Sequence, residues 1–230
     1  MENKIFITNQ VEKVVRGEYT DFLDPNEEHQ VTSILNKMHI SYNIFKLFNE
    51  AEKTIIYSFL EPNITLFEIK SDNLLNHKDI LGALFSHNIK ISKYGDIVIK
   101  DKYYLPVIDS IKPYMIANFN MIGNNYIKLN EVDIDTIKDF HYDFVPVEIL
   151  VSSLRIDNIV STITGSSRSN IDEYFKDKYV FINYLPVTKK TTLLKENDIL
   201  GIRRNGKYRF NKILKVTSKG KYILEFYKYK

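Results

Sequence analysis

The chain has 230 residues, 44% of them hydrophobic and 27% charged, with a formal net charge of +3, which excludes a disordered chain and leaves room for more than one small domain. It contains no cysteine, so disulfides, thiolate nucleophiles and Cys-based zinc sites are excluded, in keeping with a reducing compartment. The first residues lack the basic segment and apolar run of a signal peptide, and no stretch approaches the ~20 apolar residues of a membrane span, so a cytoplasmic protein with no membrane span is expected.

Phe6–Gly17 reads as a first helix. Asp24, Pro25 and Glu27 form a helix-start signature, with Asp24 as N-cap, and predict a second helix to about Met38. Tyr42–Phe48 and Thr54–Leu60 are rich in β-branched and aromatic residues and read as strands, with Thr65–Ile69 a third. These segments suggest an N-terminal α/β unit over residues 1–70.

In the next segment Ile80, Leu81, Leu84 and Phe85 recur at helical spacing and predict a helix over His77–Ser86 with that stripe facing a core. Strands are expected at Ile97–Lys100 and Tyr103–Val107, a helix at Ile108–Asn118 and a strand at Asn125–Leu129. This order suggests a small α+β domain over residues 71–146. Glu131, Asp133, Asp135 and Asp139 read as a solvated face leading to a boundary at Pro146.

From residue 147 onward Ile156, Ile159, Val160 and Ile163 fall at i, i+3, i+4 and i+7, predicting an amphipathic helix over Leu154–Thr164 closed by Gly165. Ser167 or Ser169 can cap a following helix whose buried stripe is Ile171, Tyr174 and Phe175. Strands are expected at Val180–Ile182, Ile199–Ile202, Tyr208–Lys212 and Tyr222–Phe226. The fold class is therefore α+β and multidomain.

Charge is divided unequally along this plan. Residues 151–230 hold 17 Lys+Arg against 7 Asp+Glu, a net of +10, whereas residues 1–150 sum to −7. A basic module on an acidic body is the footprint of nucleic-acid binding. From Arg203 to Lys230 there are ten Lys+Arg and one acid, Glu225, with Tyr208, Phe210, Tyr222, Phe226, Tyr227 and Tyr229 interleaved. Arg155 at one helix start, and Ser167, Arg168, Ser169 and Asn170 at the next, bring free amides, hydroxyls and guanidinium groups together as an anion site. Arg168 is expected to contact phosphate. The expected RNA-contacting set is completed by Lys178, Asn183, Lys189, Lys190, Arg203, Arg204, Lys207 and Arg209.

No enzymatic constellation emerges. Gly201 through Tyr208 matches the phosphate-loop spacing, but Tyr208 stands where a magnesium-binding Ser or Thr is needed and a strand pattern follows, so a basic hairpin is expected. The five histidines have no paired-ligand spacing, and His77 at a helix start reads as a cap or polar contact. No catalytic residue, metal or cofactor is predicted.

Four sequence elements, Arg155-Ile156-Asp157, Ser167-Arg168, Val180-Phe181-Ile182-Asn183 and Asn197-Asp198-Ile199, resemble the RNA-binding domain named after small-subunit ribosomal protein four, the S-four or αL domain. With Phe22-Leu23-Asp24-Pro25, His77-Lys78-Asp79-Ile80-Leu81-Gly82-Ala83-Leu84, Gly95-Asp96-Ile97, Lys207-Tyr208-Arg209-Phe210 and Thr217-Ser218-Lys219-Gly220-Lys221, the chain resembles YlmH-type proteins of Gram-positive bacteria over nearly its whole length. That resemblance implies an N-terminal unit, a central RNA-recognition-like domain and a C-terminal S-four domain over residues 147–230. It also implies a monomer that binds ribosomal RNA and tRNA on the large ribosomal subunit, in rescue of stalled subunits. Lys178 and Asn197 stand where the family favours glycine, and the lysine implies a differently built turn. Asn88, Ile91 and Asn124 replace a usual glycine and two usual basic residues, which puts the main contacts C-terminally. The alternatives are an RNA-modifying enzyme and an interaction protein of the division machinery.

Overall fold

The computed structural model describes residues 2–229, the side chains of residues 2, 168 and 169 excepted. Its contacts divide the chain into two units, Met1–His141 and Tyr142–Lys230. The architecture is α+β with three separate antiparallel sheets. Among the described residues no helix is long and apolar enough to cross a membrane.

In the first unit, α1 (Glu2–Val15) and α2 (Pro25–Lys37) pack against the ribbon of β1 (Asn43–Phe45) and β2 (Ile55–Tyr57). Ile7, Val11 and Val14 of α1 meet Val31 and Leu35 of α2 and Ile56 of β2. The capping box is formed as the sequence predicts: Asp24 Oδ1 accepts from Glu27 N at 2.8 Å and Glu27 Oε2 from Asp24 N at 2.9 Å, satisfying two amides that the helix cannot.

β3 (Ile64–Ser71) is followed by α3 (His77–Ser86), β4 (Val98–Ile99), β5 (Tyr103–Ile108), α4 (Lys112–Asn118), β6 (Met121–Ile122) and β7 (Asn125–Val132). Their strands form one sheet in the order β4-β5-β3-β7-β6. Phe67 and Ile69 of β3, Leu105 of β5 and Ile127 of β7 share a core with Ile80 and Leu84 of α3 and Met115 and Phe119 beyond it. Three expectations are corrected here. The strand expected with the N-terminal unit is the centre of this sheet, pairing with β5 and β7; a short apolar run does not reveal its partners, which here lie 34–66 residues downstream in sequence. Phe85, expected in the core, is 84% exposed, and Ala83 takes a buried place beside Leu84. The helix expected from Ile108 begins as a 3-10 turn, Asp109–Ile111, with α4 opening at Lys112-Pro113. Asn76, one residue before His77, caps α3, and Asp79 completes its capping box.

The second unit opens with β8 (Phe144–Val151), then α5 (Ile156–Thr164), α6 (Arg168–Lys176), β9 (Val180–Ile182), β10 (Leu185–Pro186), β11 (Ile199–Ile202), β12 (Gly206–Val216) and β13 (Tyr222–Tyr229). The sheet order is β10-β9-β11-β12-β13-β8. Pro146, expected as a boundary, lies inside β8 opposite Tyr227. An edge strand with one pairing partner tolerates a residue that cannot donate. Val180, Leu200, Tyr208, Phe210, Leu224 and Phe226 turn to one side and pack with Ile156, Ile159 and Val160 of α5 and Ile171 and Phe175 of α6. Gly165 ends α5 at φ 66°, the left-handed cap that glycine adopts without strain.

Candidate nucleic-acid interface

The C-terminal helix starts stand as the sequence predicts, but their charges are partly answered within the protein. Arg155 is the N-cap of α5. Its guanidinium donates to both oxygens of Asp157, Nε at 3.2 Å and Nη2 at 2.6 Å. The hydrogen bond and the charge of Asp157 both raise the Arg155 pKa. Lys190 donates to Asp172 of α6. Between these two ion pairs lies an open hollow of about 660 Å³ whose lining includes Ser152, Asn158 and Ser161. Ser167 is the exposed N-cap of α6, and Asn170 is exposed in the first turn. The side chains of Arg168 and Ser169, both expected here, lie outside the described residues.

Lys178, Asn183 and Lys189 are exposed. Lys178 takes φ 55° and Asn197 φ 71°. The expectation that lysine has the turn differently built is corrected: the chain holds a lysine in the left-handed conformation, at the cost that a β-carbon brings there. Asn183 is a turn clamp: its amide donates to Asp198 Oδ1 at 2.8 Å and accepts from Ile199 N at 2.9 Å.

The segment from Gly201 to Tyr208 is a hairpin, with Ile202 facing Gly206 across the turn. Arg203 and Arg204 are exposed at its tip, and Arg203 lies 5.2 Å from the Tyr179 ring centroid. Lys207 and Arg209 are separated from the helix starts by strand alternation. Because Tyr208 and Phe210 point into the core with α5 and α6, their neighbours point to the opposite face. The thirteen expected residues are therefore not one patch. On that opposite face Arg209 lies over Phe144 at 4.8 Å and Tyr227 at 5.5 Å, and Lys207 over Tyr229 at 4.2 Å. The sequence reading missed Tyr142 and Phe144 because both precede the expected domain boundary. Period-two alternation through Tyr227 and Tyr229 was the available signal for the others.

In the first unit the sequence motifs resolve into structural roles. Gly95 is required by space, since a β-carbon there would stand 2.8 Å from Leu47 Cδ1 and 2.9 Å from Phe22 Cε1. Asp96 Oδ2 accepts from the backbone amides of Glu52 and Lys53, both at 2.9 Å. Lys53 Nζ donates to the carbonyls of Ile91 and Tyr94 at 2.7 Å each, and burial pulls its pKa down to about 8. Asp21 is buried between Lys13 at 2.7 Å and Lys93 at 2.8 Å. Burial would raise its pKa, but the two lysines outweigh that and lower it. Asn88 closes α3 at φ 54°, the conformation that asparagine tolerates best after glycine; Ile91 and Asn124 are exposed. Among the described residues no group of three or more His, Asp or Glu is placed to hold a metal ion.

Residues 61–136 match the family described as "Putative RNA-binding domain in YlmH". Over 246 aligned residues the chain is 26% identical to the ribosome-associated protein quality control protein P2 of Bacillus subtilis, covering 98% of this chain and 95% of that one. The fold is similar to the solved structure titled cell division protein ylmH from Streptococcus pneumoniae, with a TM-score of 0.50 and 16% identity over 60% of this chain and 96% of that one. These likenesses bear out the YlmH-type resemblance that the sequence motifs carry.

Proposed function

We propose that this YlmH-type chain is a non-catalytic RNA-binding protein of ribosome-associated quality control, and that it grips ribosomal RNA or tRNA on the large subunit. The observation that carries the reading is the segregation of charge. A net of +10 over residues 151–230 is folded onto a single unit. Its helix starts present Arg155 and Ser167, and its hairpin tip presents Arg203 and Arg204. Such a surface recognises phosphate, and phosphate contacts fix position without reading sequence. Near end-to-end similarity to the Bacillus quality-control protein supplies the ribosomal context, and the match of residues 61–136 supports an RNA role for the central segment as well.

Selectivity follows from combining contacts. A single module of this size buries on the order of 600–1,000 Å² on nucleic acid, so a second contact by the first unit would raise effective concentration and convert a weak grip into selective binding. Cross-linking in cells followed by sequencing of the attached RNA tests the assignment. Reads in large-subunit ribosomal RNA or tRNA, together with co-sedimentation with large subunits when stalled complexes accumulate, are expected. Reads scattered over messenger RNA, with no co-sedimentation, would overturn it.

A further inference from the structure

We propose that the face of the C-terminal sheet turned away from α5 and α6 is a stacking platform for the bases of an unpaired RNA strand, a second nucleic-acid surface beside the helix starts. The inference rests on the RNA-binding reading and extends it from backbone charge to bases. Tyr142, Phe144, Tyr227 and Tyr229 form one connected cluster. Ring centroids are 5.0 Å apart for Phe144 and Tyr229, 5.4 Å for Tyr142 and Tyr229, and 5.8 Å for Phe144 and Tyr227. Two cations lie over these rings: Arg209, 4.8 Å from the Phe144 centroid, and Lys207, 4.2 Å from that of Tyr229. All six side chains are half-buried.

The arrangement follows from the strands. Tyr208, Phe210, Leu224 and Phe226 occupy the helix-covered core, so the alternate residues of β12 and β13 must share the other face. Sheet order places β12, β13 and β8 side by side, and Phe144 pairs with Tyr229, and Arg209 with Tyr227, across the ladders. The acids of this face, Glu148 and Glu225, pair further along the strands. Glu225 accepts from Asn211, whose amide also donates to the Tyr227 hydroxyl at 3.2 Å.

Charge complementarity selects the occupant. An apolar protein surface docked here would have to bury the Arg209 guanidinium, which is costly. An unpaired RNA strand offers phosphate to Arg209 and base faces to the rings and to the Arg209 guanidinium plane, whatever its sequence. A duplex keeps its base faces stacked inside and can use only the charge.

The test compares a labelled single strand of about 12 nucleotides, within the usual site sizes, with an RNA duplex of the same length, each titrated with the full chain. Tyr227→Leu/Tyr229→Leu is expected to weaken single-strand binding about tenfold or more, from the measured contribution of base–aromatic stacking, and to leave duplex binding within about twofold. Unchanged single-strand binding, or equal loss on both RNAs, would overturn the platform. If the unaltered chain binds neither RNA, the RNA-binding reading itself has failed. Photo-cross-linking of the unaltered chain to a 4-thiouridine strand is independent of how the variant folds. Adducts are expected on Tyr142, Phe144, Tyr227 or Tyr229, and adducts confined to residues 152–190 would overturn the proposal.

Discussion

Replacing Asp157 by asparagine should lower stability and raise RNA affinity at once, a pairing of signs that follows from where this carboxylate stands. Asp157 sits in the first turn of α5, where it accepts from Asn158 N at 2.9 Å and faces the positive end of the helix dipole. Losing that charge should cost about 0.5 kcal/mol of stability. The same carboxylate holds the Arg155 guanidinium through two hydrogen bonds. An approaching phosphate must compete with it and also meets its negative charge. Exposed ion pairs are weak, so releasing Arg155 should strengthen binding only about two- to fivefold near 0.1 M salt. The clearer readout is the salt dependence. One additional phosphate contact steepens the slope of log affinity against log salt by about 0.7–0.9. Fluorescence anisotropy on a labelled ribosomal RNA hairpin, at several salt concentrations, measures both. Weaker binding by a folded variant, or an unchanged slope, would refute Arg155 as a phosphate contact restrained by Asp157.

Asp21→Asn leaves the half-buried Lys13 and Lys93 without their shared counter-charge and should cost about 2–3 kcal/mol in urea unfolding at neutral pH. Because the carboxyl pKa is lowered in the folded state, its contribution is present above the unfolded value of about 3.8 and is lost as pH falls through the folded value; the variant should lack that part of the acid limb. Lys53, with its pKa pulled from 10.5 to about 8, takes up fewer protons folded than unfolded between those values, so stability should rise with pH by about 1.5 kcal/mol from pH 8 to 9.5. Lys53→Met should flatten that rise, measured below the range where Tyr94, raised by burial, begins to titrate. Arg168→Ala should weaken RNA binding by roughly 1–2 kcal/mol with little change in melting temperature.

Much of this fold was legible because its local signals are self-contained. The Asp24 capping box, the α3 boundaries, the α5 stripe and the Gly165 cap depend only on residues within a few positions of one another. Pairing was not legible. Nothing near β3 says that it joins β5 and β7 rather than β2, and β8 is hidden by Pro146, which reads as a break until the strand is known to be an edge. The candidate site was legible in charge and illegible in facing. Arg155, Lys190 and Arg209 all look like phosphate ligands in sequence. Folding pairs two of them with carboxylates and turns the third to the other side of the sheet. Several of the most motif-like residues, Phe22, Asp24, Asp79, Gly95 and Asp96, prove to be core residues, caps and clamps.

The central claim is that the basic C-terminal unit holds RNA chiefly through phosphate, and the salt dependence of binding by the full chain tests it most directly. With five to seven phosphates neutralised, affinity for a ribosomal RNA hairpin should fall by about 10³-fold or more between 50 and 200 mM salt. A charge-neutralising Arg203→Gln/Arg204→Gln variant should show a shallower slope. Binding that stays flat across this range would contradict the account.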